Sequence, residues 1–213
     1  MLRIAVLVSG GGTNLQALID SREKEGLGGG EIAAVVSSRK DAYALKRAEA
    51  AGIKGYVLSG KGLTTDEYGS RLCELLENEV KPELVVLAGF LKVLSAGFCK
   101  KYENRIINIH PSLIPSFCGD GMYGLKVHEA ALAKGVRVSG ATVHFVDAVT
   151  DGGPIILQKA VEVHEGDTPE VLQKRIMDEA EHILLPRAVR LFCKGALSVK
   201  DGRVFIDENK AEE

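Results

Sequence analysis

Three polar side chains of this sequence combine an amide, an imidazole and a carboxylate, which are the groups that acyl transfer requires. Asn108 and His110 stand two residues apart at the end of an apolar run, so a strand would direct both to one face. Asparagine can donate to a developing oxyanion, and histidine can add a proton or a charged hydrogen bond near neutral pH. Asp151, if it lies beside His110, would favour the imidazolium and raise the pKa of His110. These three residues are the candidate catalytic group.

Each of these residues also has a structural interpretation. A single histidine at the end of a strand is often structural rather than catalytic. Asp151 is followed by Gly152 and Gly153, and such a sequence can simply form a hairpin turn. Sequence spacing alone leaves both interpretations open.

A glycine-rich segment, SGGGTN at residues 9–14, follows the first apolar run. Glycines let the backbone approach a ligand closely, and a helix that begins there would offer free N–H groups to an anion. The dinucleotide pattern G-x-G-x-x-G is only half met because Leu15 occupies the third glycine position, and residues 37–40 contain no acidic side chain. A site for a monophosphate-sized anion is the better interpretation. The alternative is a tight turn in which Thr13 is a local cap.

Apolar runs rich in valine and isoleucine alternate with helical periodicity in the first half of the chain. The runs are residues 4–8, 32–36, 84–87 and 105–109, and the helical segments are residues 13–25, 42–51 and 65–79. Such alternation predicts an α/β fold with a mostly parallel sheet covered on both faces.

The pattern changes in the second half of the chain. Residues 138–146 and 154–163 alternate in polarity and predict an antiparallel pair added to the sheet. Residues 168–192 predict one long helix, capped by Thr168 and kinked or split at Pro186. We expect one domain over residues 1–206, with a nucleotide-phosphate half (about 1–100) and a folate and catalytic half (about 101–206). The charged tail, residues 207–213, is expected to fray.

Composition narrows the class of protein. The 213 residues carry a formal net charge of −2, which gives no basic excess for nucleic acid. The four cysteines lack zinc-site spacing, and no metal is expected. The apolar run at residues 2–8 is too short for a secretory signal, and no run reaches the roughly 18 residues of a membrane span. We therefore expect a cytoplasmic protein, monomeric or homodimeric, that acts on small molecules.

Four motifs together carry a family resemblance. They are VSGGGTNLQ (8–16), LAGF (87–90), NIHPSLIP (108–115) and DGGP (151–154). Over residues 2–193 the chain resembles the phosphoribosylglycinamide formyltransferases, the glycinamide ribonucleotide transformylases of purine synthesis. The Asn-x-His and Asp pieces alone are shared with methionyl-tRNA formyltransferase and formyltetrahydrofolate deformylase. From the length of this sequence we expect neither the C-terminal barrel of the former nor the N-terminal regulatory domain of the latter.

The resemblance implies a Rossmann-like formyltransferase fold and transfer of a formyl group from 10-formyltetrahydrofolate, as co-substrate, to the amine of glycinamide ribonucleotide. Asn108 and His110 would stabilise the tetrahedral intermediate, and Asp151 would tune His110. The implied substrate-binding residues are Gly12, Thr13 and Asn14 at the phosphate and Asp178, Glu179, Ala180 and Glu181 at the glycinamide or ribose. The implied folate-binding residues are Thr65, Leu91, Lys92, Val93, Leu94, Asn108, Asp147, Ala148, Val149, Thr150 and Asp151.

The chain departs from the family pattern at two places. Thr65 lies where the family often has an arginine that contacts the folate tail, so that contact is in doubt. Residues 116–124 also differ, and their small side chains predict a mobile flap. An ordinary exposed helix charge is the alternative for Glu181. Two alternative functions stay open, a formyltetrahydrofolate hydrolase and a non-catalytic anion-binding module.

Overall fold

A seven-stranded sheet forms the centre of the computed structural model, which describes residues 1–212. The strand order is β3-β2-β1-β4-β5-β6-β7; the first five strands are mutually parallel, and β6 and β7 are antiparallel. The predicted fold class, with its added antiparallel pair, is confirmed. The strands are β1 Leu2–Val8, β2 Gly30–Ser37, β3 Gly55–Val57, β4 Leu84–Leu87, β5 Ile106–His110, β6 Val138–Phe145 and β7 Ile155–Glu162.

The central strands are apolar throughout because both of their faces are covered. Along β1, Ile4 and Val6 pack into the core on one face of the sheet, whereas Ala5 and Leu7 pack into the core on the other. The sheet therefore separates two hydrophobic cores. The helices are α1 Thr13–Lys24, α2 Tyr43–Ala50, α3 Thr65–Leu75, α4 Ala96–Lys101, α5 Leu125–Lys134, α6 Pro169–Ile176, α7 His182–Cys193 and α8 Glu208–Glu212.

Two π turns interrupt helical stretches. The first π turn, Leu76–Val80, continues α3, and the second π turn, Met177–Glu181, joins α6 to α7. Thr168 caps α6, and its side chain accepts a hydrogen bond from the N–H of Val171. The long helix is interrupted, but the prediction that the interruption lies at Pro186 was wrong. Pro186 lies inside α7, and the winding changes five residues earlier, at the end of the second π turn.

The C-terminal region contains structure that the sequence did not predict. Strands β8, Leu197–Lys200, and β9, Arg203–Ile206, form a separate two-stranded sheet. The expectation of a frayed tail was wrong for residues 208–212, which form α8. The ammonium of Lys194 donates to the Ala211 carbonyl at 2.8 Å and ties α8 to the end of α7. Glu213 lies outside the described residues.

Within residues 1–212, no helix combines the length and apolar character needed to cross a membrane. No group of three or more histidine, cysteine or acidic side chains is arranged to hold a metal ion in the same range.

Candidate active site

The carboxyl end of β5 brings the first two candidate catalytic residues together with one that the sequence did not predict. Asn108 and His110 lie on the last three residues of β5, and the antiparallel register pairs Asn108 with His144 of β6. His144 is 1% exposed. Ligands commonly bind outside the carboxyl ends of strands in open α/β sheets, so this edge is the expected place for a site.

His144 fixes the orientation of the Asn108 amide. Nδ1 of His144 is 2.7 Å from the Phe145 carbonyl oxygen, and a carbonyl only accepts, so Nδ1 carries a hydrogen. In the neutral ring Nε2 is then an acceptor, and it receives a hydrogen bond from Nδ2 of Asn108 at 3.1 Å. The amide nitrogen has a second hydrogen, which this bond leaves available to a ligand.

His110 is held at both ring nitrogens. Nε2 lies 2.9 Å from the Phe117 carbonyl oxygen and must therefore donate to it. Nδ1 lies 3.5 Å from Oδ2 of Asp151, which is longer than a normal hydrogen bond. A proton on Nδ1 would turn this contact into an ion pair, so the predicted neighbourhood of Asp151 and His110 is present in the structure.

The expected rise in the pKa of His110 was wrong for the unliganded protein. Burial disfavours the charged ring and lowers the pKa of His110 below 6.5, although Asp151 and the Phe117 carbonyl act in the opposite direction. The positive charge that His144 can carry adds to the lowering. His110 is therefore mainly neutral near pH 7 before substrates bind.

Asp151 is ionised and firmly placed. Burial alone would raise its pKa, but His144, the N–H of Gly119 and His110 together hold the pKa of this carboxyl below 3.8. The Gly119 N–H donates to Oδ2 at 2.9 Å, and Oδ1 lies 3.6 Å from Nε2 of His144. One carboxylate thus lies beside two histidines. The backbone of Asp151 has a φ of 53°, in the left-handed region, just before Gly152 and Gly153.

These side chains open into a cavity of about 400 Å³. Its walls come from the segments after β1, β4, β5 and β6 and from the second π turn. Among the predicted site residues, the cavity is lined by Asn14, Leu91, Lys92, Val93, Leu94, Asn108, His110, Asp147, Ala148, Val149, Thr150, Asp151 and Glu181.

Glu181 is buried at this cavity and is bonded to the glycine-rich segment. Its Oε2 accepts a hydrogen bond from Nδ2 of Asn14 at 2.7 Å. Burial raises the pKa of Glu181 from 4.5 to about 7, and the Asn14 bond opposes that rise only in part. Oδ1 of Asn14 is buried and has no partner within the described residues. The pair therefore places at the cavity a carboxyl group poised near neutrality, beside a buried amide oxygen that has no partner within the described residues.

Several predicted site residues lie elsewhere. The side chain of Thr13 lines a different groove, between α1 and α7. Thr65 is exposed at the start of α3, away from the cavity. Asp178 pairs with Lys174, Glu179 is exposed, and Ala180 belongs to the core. The structure therefore does not bring these side chains to the reaction centre.

Gly12 has a structural reason to be glycine. It has a φ of 74°, and a Cβ there would lie 2.6 Å from Cβ of Ala44. Nothing lies within 4 Å of the Cβ positions of Gly10 and Gly11, so packing does not require glycine there. Open space at these two positions leaves the backbone accessible to a ligand at the start of α1.

Residues 116–124 lie over His110 and Asp151. Phe117 and Gly119 contribute the two backbone groups described above, and Oδ1 of Asp120 accepts a hydrogen bond from the Thr150 hydroxyl at 2.9 Å. His128 follows in α5, fully buried, with no hydrogen-bond partner for either ring nitrogen among the described residues. His128 is thus not available to a substrate phosphate in this structure.

Comparison with known proteins places this chain in a family. The family model described as "Formyl transferase" matches residues 2–189. The chain belongs to the formyl transferase family. The family resemblance predicted from the four motifs is confirmed.

Relatives of this formyl transferase differ in length. The chain is 38% identical to phosphoribosylglycinamide formyltransferase of Escherichia coli K12, over 97% of this chain and 94% of that protein. It is 46% identical to the trifunctional purine biosynthetic protein adenosine-3 of Gallus gallus over 93% of this chain, which spans only 19% of that protein. The crystal structure of glycinamide ribonucleotide transformylase 1 from Symbiobacterium toebii superposes with a TM-score of 0.89, with 45% identity and coverage of 97% and 94% of the two chains.

Proposed function

We propose that this formyl transferase moves the formyl group of 10-formyltetrahydrofolate to the amine of glycinamide ribonucleotide in purine biosynthesis. The observation that carries the proposal is that one cavity is lined both by Asn108, His110 and Asp151 and by Glu181 and Asn14. The cavity thus combines groups suited to an acyl transition state with polar groups suited to a small amine substrate. The names of full-length relatives support the same acceptor.

The substrates would occupy opposite ends of the cavity. Leu91–Leu94 and Asp147–Asp151 line the cavity, and their apolar side chains and backbone groups would suit the pterin. The ribonucleotide phosphate would lie at the start of α1, where free N–H groups and the open positions Gly10 and Gly11 favour an anion. Glu181 and Asn14 would meet the ribose or glycinamide. Holding two substrates in line supplies a large part of the rate acceleration.

The chemistry is a balanced acyl transfer. The amine nitrogen forms a bond to the formyl carbon, and the carbonyl oxygen becomes an oxyanion that accepts the free N–H of Asn108. The carbon–nitrogen bond to the folate then breaks, the carbonyl re-forms, and the amine loses one proton while the folate nitrogen gains one. The product pair is the formylated amide and tetrahydrofolate.

His110 has the acceptor site that the proton transfer needs. Because it is mainly neutral in the free protein and its Nε2 already donates, its open lone pair is on Nδ1, facing Asp151. A proton taken from the attacking amine would lie between Nδ1 of His110 and the Asp151 carboxylate. The growing oxyanion would favour the resulting positive charge on the His110 ring. We propose that the charged state of His110 arises during the reaction rather than before it.

The test uses the purified protein and two substitutions. His110→Ala and Asp151→Asn should each lower kcat by roughly 10²–10³, the effect of losing a positioned proton acceptor or the carboxylate that supports it, while circular dichroism stays that of the wild type. Ser198→Ala, in the separate two-stranded sheet, is the control and should keep full activity. Near-normal turnover in either active-site variant would refute the assignment.

An absorbance assay that follows the conversion of 10-formyltetrahydrofolate to tetrahydrofolate distinguishes the two alternative functions. A hydrolase would release formate from 10-formyltetrahydrofolate without the ribonucleotide. An anion-binding module would bind a ligand but convert neither 10-formyltetrahydrofolate nor glycinamide ribonucleotide. Turnover that depends on glycinamide ribonucleotide supports the transferase.

A further inference from the structure

The helical stretch that ends in α7 changes its winding at the place that holds Glu181. α6 ends at Ile176, the second π turn spans Met177–Glu181, and α7 begins at His182. A π turn is rare and is found mostly as a single-turn insertion in an α helix, frequently at functional sites. Its presence here needs a cause in the sequence.

One row of core contacts in this stretch recurs at every fourth residue, and Leu185 and Val189 form a second row beside it in α7. In an α helix a step of four residues drifts by about 40°, so five such positions spread over about 160°. A π turn closes i→i+5 hydrogen bonds and takes more residues per revolution, which reduces the drift. The positions are Leu172, Ile176, Ala180, Leu184 and Ala188, all buried in one core cluster.

The cavity wall follows the same spacing. Gln173, Met177 and Glu181 all line the cavity and are four residues apart. In a regular α helix each step of four residues rotates the next side chain by about 40°, so Glu181 would lie about 80° around the helix from Gln173. The second π turn instead keeps Glu181 on this wall, within 2.7 Å of the Asn14 amide.

Pro186 supplies a local reason for the wider turn. It is buried as the fifth residue of α7. Proline lacks an N–H, and its ring crowds the carbonyl of the residue four positions earlier in a regular helix. That residue is His182, the first one after the second π turn. Opening the helix immediately before this carbonyl relieves the crowding.

We propose that Pro186 is a positioning residue that favours the second π turn over regular α helix and so holds the Glu181 carboxylate against Asn14. Pro186 does not line the catalytic cavity, so it acts through Glu181. The inference deepens the proposed function, since it rests on Glu181 contacting the ribonucleotide.

The experiment restores an N–H at position 186 in the full chain. Pro186→Ala and Pro186→Leu are compared, because leucine fills the buried site if alanine leaves a destabilising gap. Pro169→Ala is the matched control, since Pro169 is the first residue of α6, where a missing N–H disrupts no helical bond. Carboxyl NMR follows the titration of Glu181, and steady-state kinetics gives KM for each substrate.

We expect the pKa of Glu181 to fall from about 7 towards its ordinary value in the Pro186 variants, because the carboxylate turns towards solvent. KM for the ribonucleotide should rise roughly fivefold, as for one lost hydrogen bond, with KM for the folate and the control unchanged. A folded variant whose Glu181 titrates as in the wild type overturns the proposal. A changed titration with an unchanged ribonucleotide KM supports positioning by Pro186 and removes Glu181 from the proposed substrate contacts.

Discussion

At the scale of single residues, the hydrogen bonds of His144 decide how Asn108 can act. An asparagine amide can rotate by 180° and present either its oxygen or its nitrogen. The bond from Nδ2 of Asn108 to Nε2 of His144 selects the nitrogen, and the Phe145 carbonyl fixes the tautomer that makes this bond possible. An oxyanion requires that donor, so His144 prepares the site by orienting the Asn108 amide.

His144→Ala should therefore lower kcat by about tenfold or more, since the amide loses its fixed orientation. The KM values should change less, because the cavity walls stay in place. His164→Ala is the matched control, since His164 is an exposed histidine outside the cavity. Steady-state kinetics with both substrates checks this, and an unchanged kcat for His144→Ala would contradict the role in orientation.

The charge state of Glu181 makes a second prediction at this scale. The folded-state pKa of about 7 lies above the ordinary 4.5, so the protonated carboxyl stabilises the fold below about pH 4.5, and this stability is lost as the pH rises through 7. Glu181→Gln should remove the loss, worth up to about 3 kcal/mol. In thermal melts, the melting temperature of Glu181→Gln should rise relative to that of the wild type as the pH increases from 5 to 8.

The neighbouring Glu179→Gln is the control for these melts, because Glu179 is exposed on the same π turn. It should follow the wild type at both pH values. If the difference in melting temperature between the wild type and Glu181→Gln were the same at pH 5 and pH 8, the prediction of a raised pKa for Glu181 would be contradicted.

At the scale of elements, the start of α1 separates structural from ligand-directed glycines. Gly12 packs against Ala44 with a positive φ, whereas Gly11 faces open space. Both belong to one glycine-rich motif, so the sequence could not tell them apart. The distinction depends on where α2 lies, which is a long-range contact.

Gly12→Ala should destabilise the protein by about 2 kcal/mol or more, from the left-handed backbone and the clash with Ala44. Gly11→Ala should leave the unfolding midpoint nearly unchanged and raise KM for the ribonucleotide, because a methyl group would intrude where the phosphate approaches the backbone. Urea unfolding and steady-state kinetics measure the two effects. A Gly11→Ala variant with wild-type KM would argue against the phosphate site.

The sequence predicted elements best where periodicity is local. The buried parallel strands, the cap at Thr168 and the antiparallel pair follow from neighbouring residues. The second π turn was missed because Pro186 predicted a break at itself, whereas its effect lies in the preceding turn. Strands β8 and β9 are short and only half-buried, so their periodicity is weak.

For the candidate site, the sequence predicted Asn108, His110 and Asp151, and the structure brings them together. It could not predict His144, whose role depends on strand register between β5 and β6. The alternation of residues 138–146 was the one sequence pattern that could have indicated His144, since it places this polar side chain on a buried face of the strand. The net pKa of His110 was also beyond reach, because burial outweighs the carboxylate beside it.

At the scale of the whole molecule, the sheet is continuous across both predicted halves of the chain, since β4 of the first pairs with β5 of the second. We propose that residues 1–206 act as one unit for this reason. The candidate catalytic group lies at the junction, and the buried His110 links the site to the pH dependence of folding.

His128 makes the strongest prediction about that pH dependence. Burial, with a smaller effect of His110, lowers the pKa of His128 from 6.5 to about 4. Its contribution to stability is therefore full above pH 6.5 and is lost as the pH falls through 4. His128→Leu should lose less stability than the wild type between pH 7 and pH 5 in urea unfolding. The exposed His164→Leu should lose as much as the wild type, and parallel loss in all three proteins would contradict the assignment.

The central claim is that the formyl group reaches the ribonucleotide. The most direct measurement incubates the protein with 10-formyltetrahydrofolate labelled with ¹³C in the formyl group and with glycinamide ribonucleotide, then follows the label by mass spectrometry. The account predicts that the label appears on the ribonucleotide as an added formyl group, and that His110→Ala slows its appearance. Label released as formate, with the ribonucleotide unmodified, would contradict the account.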